Sequence, residues 1–147
     1  MKKGRFLKYI VLGFVATVLL SACTHNNGDI GIWFGTWHVS KIARVVDGEP
    51  VQGYEGHHFM QFQSGVVRVV ATDSLHNFEQ SFGMWDDKSE GLLHVYFPDD
   101  DQFVCTMPGI ERDNVFTIEE SGADRVILSH TGRPDETALR YWLVKQY

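Results

Sequence analysis

Apolar positions fall into two patterns along this chain. Residues 9–22 are an almost unbroken apolar run of 14. From residue 32 onward apolar residues alternate with polar ones or cluster in short runs, rich in β-branched and aromatic types and separated by turn formers. Alternation places every second side chain on one face of an extended strand, so these runs predict strands rather than helices. The runs are 33–46, 57–63, 66–72, 78–85, 92–97, 103–107, 115–119, 126–130 and 138–145. Ser64-Gly65 is a two-residue hairpin signal. Asp47-Gly48-Glu49-Pro50, the stretch 86–91, Ser121-Gly122-Ala123-Asp124 and Gly132-Arg133-Pro134-Asp135 mark other turns. Eight or nine evenly spaced strands in up-and-down order predict an all-β fold, a sandwich or a barrel. Closing about eight antiparallel strands into a barrel removes exposed edges and leaves room for side chains or one small ligand.

The apolar run at 9–22 is shorter than the roughly 20 residues a membrane-spanning helix needs. It follows Lys2, Lys3, Arg5 and Lys8 and closes on Leu20-Ser21-Ala22-Cys23. A basic start, a short apolar stretch and small residues before a cleavage point describe a secretory signal peptide. The closing four residues resemble the lipobox of bacterial lipoproteins. That resemblance implies cleavage before Cys23, a diacylglyceryl group on its sulfur and a third acyl chain on the new amino terminus. An ordinary secreted protein with an incidental cysteine is the alternative, and charge, apolar length and motif together favour the anchor. One acyl chain binds a membrane marginally, at about 0.8 kcal/mol per buried methylene, whereas two or three hold durably. Thr24 stands where an aspartate retains many lipoproteins at the inner membrane, so the analogy implies the outer membrane of the cell envelope. The domain organisation expected is a leader at 1–22, a lipidated cysteine and polar tether at 23–31, and a β-barrel domain at 32–147.

Removal of the leader changes the charge. Nine of the 13 Lys and Arg remain against 19 Asp and Glu, a formal charge of −10 over 125 residues. That length suits one domain with a real core. So acidic a surface, with no basic cluster, disfavours nucleic acid as a partner. With Cys23 lipidated, Cys105 has no disulfide partner. Its apolar neighbours in Phe103-Val104-Cys105-Thr106-Met107 make it a small core residue rather than a reactive thiolate.

Four places in the barrel region resemble the lipocalin-like lipoproteins of Bacteroidetes-type bacteria and, more distantly, lipocalins and fatty-acid-binding proteins. Gly35-Thr36-Trp37 matches the Gly-x-Trp that opens the lipocalin barrel, where the tryptophan plugs the closed end. Gly83-Met84-Trp85 is a second such pair. Residues 115–119 and 125–129 look like the penultimate hairpin, and 139–145 like the closing strand. The resemblance implies a basic residue packed over the plug; Arg140 is the nearest candidate, with an outward, solvated arginine as the alternative. The Thr-Asp-Tyr loop motif of better-defined lipocalins is missing.

Chemistry is sparse. The adjacent His57 and His58 point to opposite faces of a strand, and His38, His76, His94 and His130 are scattered without zinc-ligand spacing, so no metal is expected. Asp99-Asp100-Asp101 lacks the ligand spacing of a calcium loop. No nucleophile elbow, phosphate loop or dinucleotide fingerprint is present, so neither an enzyme nor a cofactor is expected. The aromatics are the better lead. With a few polar strand residues they point to an apolar ligand in the barrel, with Trp37, Trp85, His94, Tyr96, Thr117 and Arg140 as candidate contacts, provided His94 faces inward. The alternative is a packed barrel serving as an interaction module in an envelope assembly, its contact surface sought first in the loop 48–56.

Overall fold

The computed structural model describes residues 28–73, 75, 77–98, 105–130 and 137–147. The expected leader, Cys23 with the expected tether as far as residue 27, His76, Asp99-Asp100-Asp101 and the turn expected at Gly132-Arg133-Pro134-Asp135 lie outside them. A 3-10 segment, Gly28–Trp33, precedes β1 (Gly35–Arg44), β2 (His58–Gln63), β3 (Val66–Thr72) and β4 (Phe78–Asp86). There follow β5 (Leu92–Tyr96), β6 (Asp113–Ser121), β7 (Arg125–His130) and β8 (Leu139–Gln146). Each strand pairs antiparallel with the next, and β8 pairs with β1, closing an eight-stranded barrel. The compact unit spans Ile32–Tyr147.

The sequence runs become strands for the predicted reason: their alternation sorts inside from outside. Trp37, Val39, Met60, Phe62, Val67, Val69, Leu93, Val95, Phe116, Val126, Leu128, Tyr141 and Leu143 all point inward and are buried. Fully burying each such side chain is worth about 1.5–3 kcal/mol. A bulge between Val39 and Lys41 turns both Ser40 and Lys41 outward, and inward alternation resumes at Ile42.

Two glycines are required by geometry. A Cβ on Gly83 would lie 2.6 Å from the Tyr96 carbonyl oxygen and 2.9 Å from the Phe97 ring, so its absence lets β5 approach β4. Gly109, at φ 75°, sits where a Cβ would meet the Tyr141 hydroxyl at 2.6 Å. It belongs to a turn that folds Met107 and Ile110 into the barrel interior. This corrects the strand expected over 103–107, whose described part is irregular because its apolar residues plug the core instead of pairing. Cys105 is only half-buried as a residue, yet burial pushes its thiol up to about 11, so it stays protonated at neutral pH.

Candidate functional site at the barrel mouth

The two ends of the barrel differ. At one end Trp33, Trp37, Phe62 and Trp85 form a ring cluster with centroids 5.3–6.5 Å apart. The Trp37 indole N–H donates to the Trp33 carbonyl at 2.9 Å, and that of Trp85 to the Gln63 carbonyl at 2.8 Å. Lys145 points inward from β8, with Nζ 5.0 Å from the centre of the Trp37 ring and donating to the Ile32 carbonyl at 3.0 Å. This end is sealed. Phe97, Phe116, Tyr141, Met107 and Ile110 fill the middle of the barrel.

The opposite end keeps a cavity of about 340 Å³. Its wall is built from neighbouring inward positions on three strands, His58 on β2, Ala71 on β3 and Glu79 on β4, which pair directly in the sheet. Asp73, Phe78 and Thr106 add to it from the rim. His58 is 8% exposed; its ring stacks on Tyr54 at 5.5 Å, and its Nε2 lies 3.0 Å from the Thr106 hydroxyl. Its Nδ1 is buried with no hydrogen-bond partner among the described residues. Tyr54 donates its hydroxyl to the Val39 carbonyl at 2.5 Å, which draws the β1–β2 loop over the mouth. Burial raises the Tyr54 phenol well above its ordinary value.

Electrostatics at the mouth are acidic. Burial, helped by neighbouring His57, holds the His58 imidazole below its ordinary 6.5, so it is neutral at pH 7. Asp73 accepts from the Asn77 side chain and from the backbone N–H groups of Leu75 and Asn77, and these bonds hold its carboxyl below the usual range. Glu79 has neither a hydrogen bond nor an ion pair to any described residue. His57, just before β2, also lines the cavity, with Nε2 3.3 Å from Glu55.

The candidates drawn from the sequence do not meet here. Trp37 and Trp85 belong to the sealed end. His94 and Tyr96 sit on the outer face of β5, because Leu93 and Val95 take the inward positions. His94 Nε2 lies 2.6 Å from Asp113 and its Nδ1 3.7 Å from Asp86, while Tyr96 donates its hydroxyl to the Met84 sulfur. Thr117 is likewise outward, since Asn114 and Phe116 set the inward face of β6. Arg140 pairs outside the barrel with Glu119, Nε to Oε2 at 2.6 Å, and the cation over the plug is Lys145. The arginine holds the Glu119 carboxyl below its usual range. Ala71 and Glu79 were not singled out from the sequence, and His58 was weighed there only as a metal ligand. The available signal was the alternation of His58 with Met60 and Phe62, which puts the histidine on the apolar face of its strand.

Two larger-scale features complete the picture. A depression of about 510 Å³ is lined by Arg44 and Leu139, which are registered partners on β1 and β8, and by Glu49 and Pro50 of the β1–β2 loop. Among the described residues no group of three His, Cys, Asp or Glu is placed to hold a metal ion.

A closed, eight-stranded, up-and-down barrel with an indole plug at one end and a cavity at the other defines a lipocalin-like domain. Solved structures agree. The chain superposes on a lipocalin-like protein from Bacteroides uniformis with a TM-score of 0.60 at 18% identity, covering 79% of this chain and 100% of that one. It superposes on an uncharacterized protein from Bacteroides eggerthii with a TM-score of 0.59 at 14% identity, covering 78% and 99%. No protein-family model and no curated protein matches the sequence.

Proposed function

We propose that this protein is a lipid-anchored, lipocalin-like lipoprotein of the bacterial cell envelope that binds a small, largely apolar molecule at the barrel mouth. The observation that carries the binding reading is the mouth cavity itself, about 340 Å³, walled by His58, Ala71, Phe78 and Glu79. Ligand sites favour the mouths of β-barrels and begin near 300 Å³. Packed rings fill the barrel below, so the ligand is small. Burying about 200 Å² of apolar ligand surface gains about 5 kcal/mol. Micromolar affinity needs about 8 kcal/mol, so polar contacts at the mouth supply the rest.

Titration of the full chain with 2-phenylethanol, a neutral probe of fitting size, tests this reading. Backbone amide shifts should saturate as one site and cluster at His58, Ala71, Phe78 and Glu79; Ala71→Trp should abolish them. Non-saturating shifts, or shifts clustered elsewhere, would contradict it. The anchor is supported by the basic start, the apolar run and Leu20-Ser21-Ala22-Cys23. An alkynyl fatty acid fed to cells should label the wild type and not Cys23→Ser, and labelled protein should sediment with outer membrane. The reading assigns no catalysis: the His94–Asp113–Asp86 cluster stands on the barrel's outer face, away from the cavity.

One observation favours the interaction-module alternative. Val66 and Met84 are registered partners on the outer surface, 44% and 45% exposed, and Phe82 beside them is 56% exposed. This surface lies on β3 and β4, not in the loop 48–56. Crosslinking in intact envelopes would separate the readings: a stoichiometric protein partner lost in Phe82→Ser/Met84→Ser supports the module.

A further inference from the structure

Taking the mouth as the ligand site, the charges and free hydrogen-bonding atoms on its wall specify the head group it accepts. Glu79 shares the inward face of β4 with Ser81, Gly83 and Trp85, so its carboxylate hangs over the cavity rather than on the outer wall. It has no cationic partner among the described residues. Asp73 stands on the same wall, kept ionised by the hydrogen bonds it accepts from Leu75 and Asn77. Among the described residues no Lys or Arg lines this cavity. His57 lines its edge, with Nε2 3.3 Å from Glu55.

His58 is the buried polar residue of this wall: it is 8% exposed, shares the inward face of β2 with Met60 and Phe62, and its Nδ1 has no hydrogen-bond partner among the described residues. Leaving such an atom unsatisfied costs about 1–3 kcal/mol. Nε2 pairs with the Thr106 hydroxyl and Nδ1 is closed off from the cavity, so His58 shapes the wall without adding a charge to it. Ala71 leaves space beside it, and Phe78 offers a ring face. A carboxylate or phosphate head would meet the Asp73 and Glu79 carboxylates and, among the described residues, no Lys or Arg. A protonated amine meets a counter-ion and an aromatic ring at one place.

We propose that the mouth cavity takes a small organic cation, a protonated amine bearing an aromatic or aliphatic group. The ammonium donates to the Glu79 carboxylate, and the apolar part packs against Ala71 and Phe78. The preference is set by charge, so salt weakens it.

Calorimetry on the full chain with 2-phenylethylamine, 2-phenylethanol and 3-phenylpropionate tests the proposal, because the three share a ring and differ in charge. The amine should bind one site about tenfold tighter than the alcohol, and the carboxylate should not bind. Glu79→Gln, at an exposed position that tolerates it, should bring the amine to the level of the alcohol and leave the alcohol unchanged. Equal binding of amine and carboxylate, or a preference for amine that survives Glu79→Gln, overturns the cation proposal while the mouth site stands. Failure of all three probes at millimolar concentration overturns both.

Discussion

Trp37 is fully buried and tied by its N–H to the Trp33 carbonyl, so nothing can collapse into its place without dismantling the seal. Trp37→Ala should cost about 3–5 kcal/mol, read as a fall in urea unfolding midpoint. The cation above it gives a sharper contrast. Lys145→Met removes a charge over an indole and a hydrogen bond to a loop carbonyl, and should cost about 1–2 kcal/mol. Arg140→Met removes an outer ion pair and should cost less than about 1 kcal/mol. The sequence could not choose between them, because both faces of 139–145 are mixed: Leu, Tyr, Leu and Lys against Arg, Trp and Val. For His94 the signal was present. Leu93 and Val95 form the wholly apolar face, and that face went inward. His58 carries a pH dependence. Its pKa lies below 6.5 when folded and returns to about 6.5 when unfolded, so the unfolded chain binds more protons as pH falls through that window. Stability is therefore full above about pH 6.5 and declines on acidification through the folded-state pKa. The unfolding midpoint should drop between pH 7.5 and pH 5.5, and His58→Phe should reduce the drop.

At the level of strands, alternation and turn residues carried most of the architecture. Eight of nine runs became strands, each boundary within two residues, because an outward polar and inward apolar period has one stable solution in a closed sheet. Ser64-Gly65 made its hairpin, with Gly65 at φ 71°. The ninth run failed on a feature that periodicity does not encode. The apolar residues of a loop can fill a barrel end as readily as those of a strand, and Gly109 against Tyr141 is what turns Met107 and Ile110 inward. Gly83 shows how a short motif can have a packing cause. Gly83→Ala would push a methyl against backbone at 2.6 Å, and should cost about 1–3 kcal/mol with exchange of the β4–β5 amides accelerated above those of β1–β8. Wild-type exchange in that variant would contradict the close approach.

Across the whole molecule, the rings that suggested a roomy barrel instead fill it, and the cavity is left at the mouth. The site was illegible for that reason. Its residues are a histidine, an alanine and a glutamate on three strands, gathered only by register, and none belongs to a motif. The acidic balance, by contrast, was legible and runs through to the mouth, where Asp73 and Glu79 face the same space. The central claim is that this space holds a ligand. Native mass spectrometry of the full chain taken gently from its envelope, compared with the same sample denatured, tests it most directly. The account predicts a discrete extra mass on the wild type that vanishes on denaturation and is missing from Ala71→Trp. A bare protein mass in the wild type, or an extra mass retained by Ala71→Trp, would contradict it.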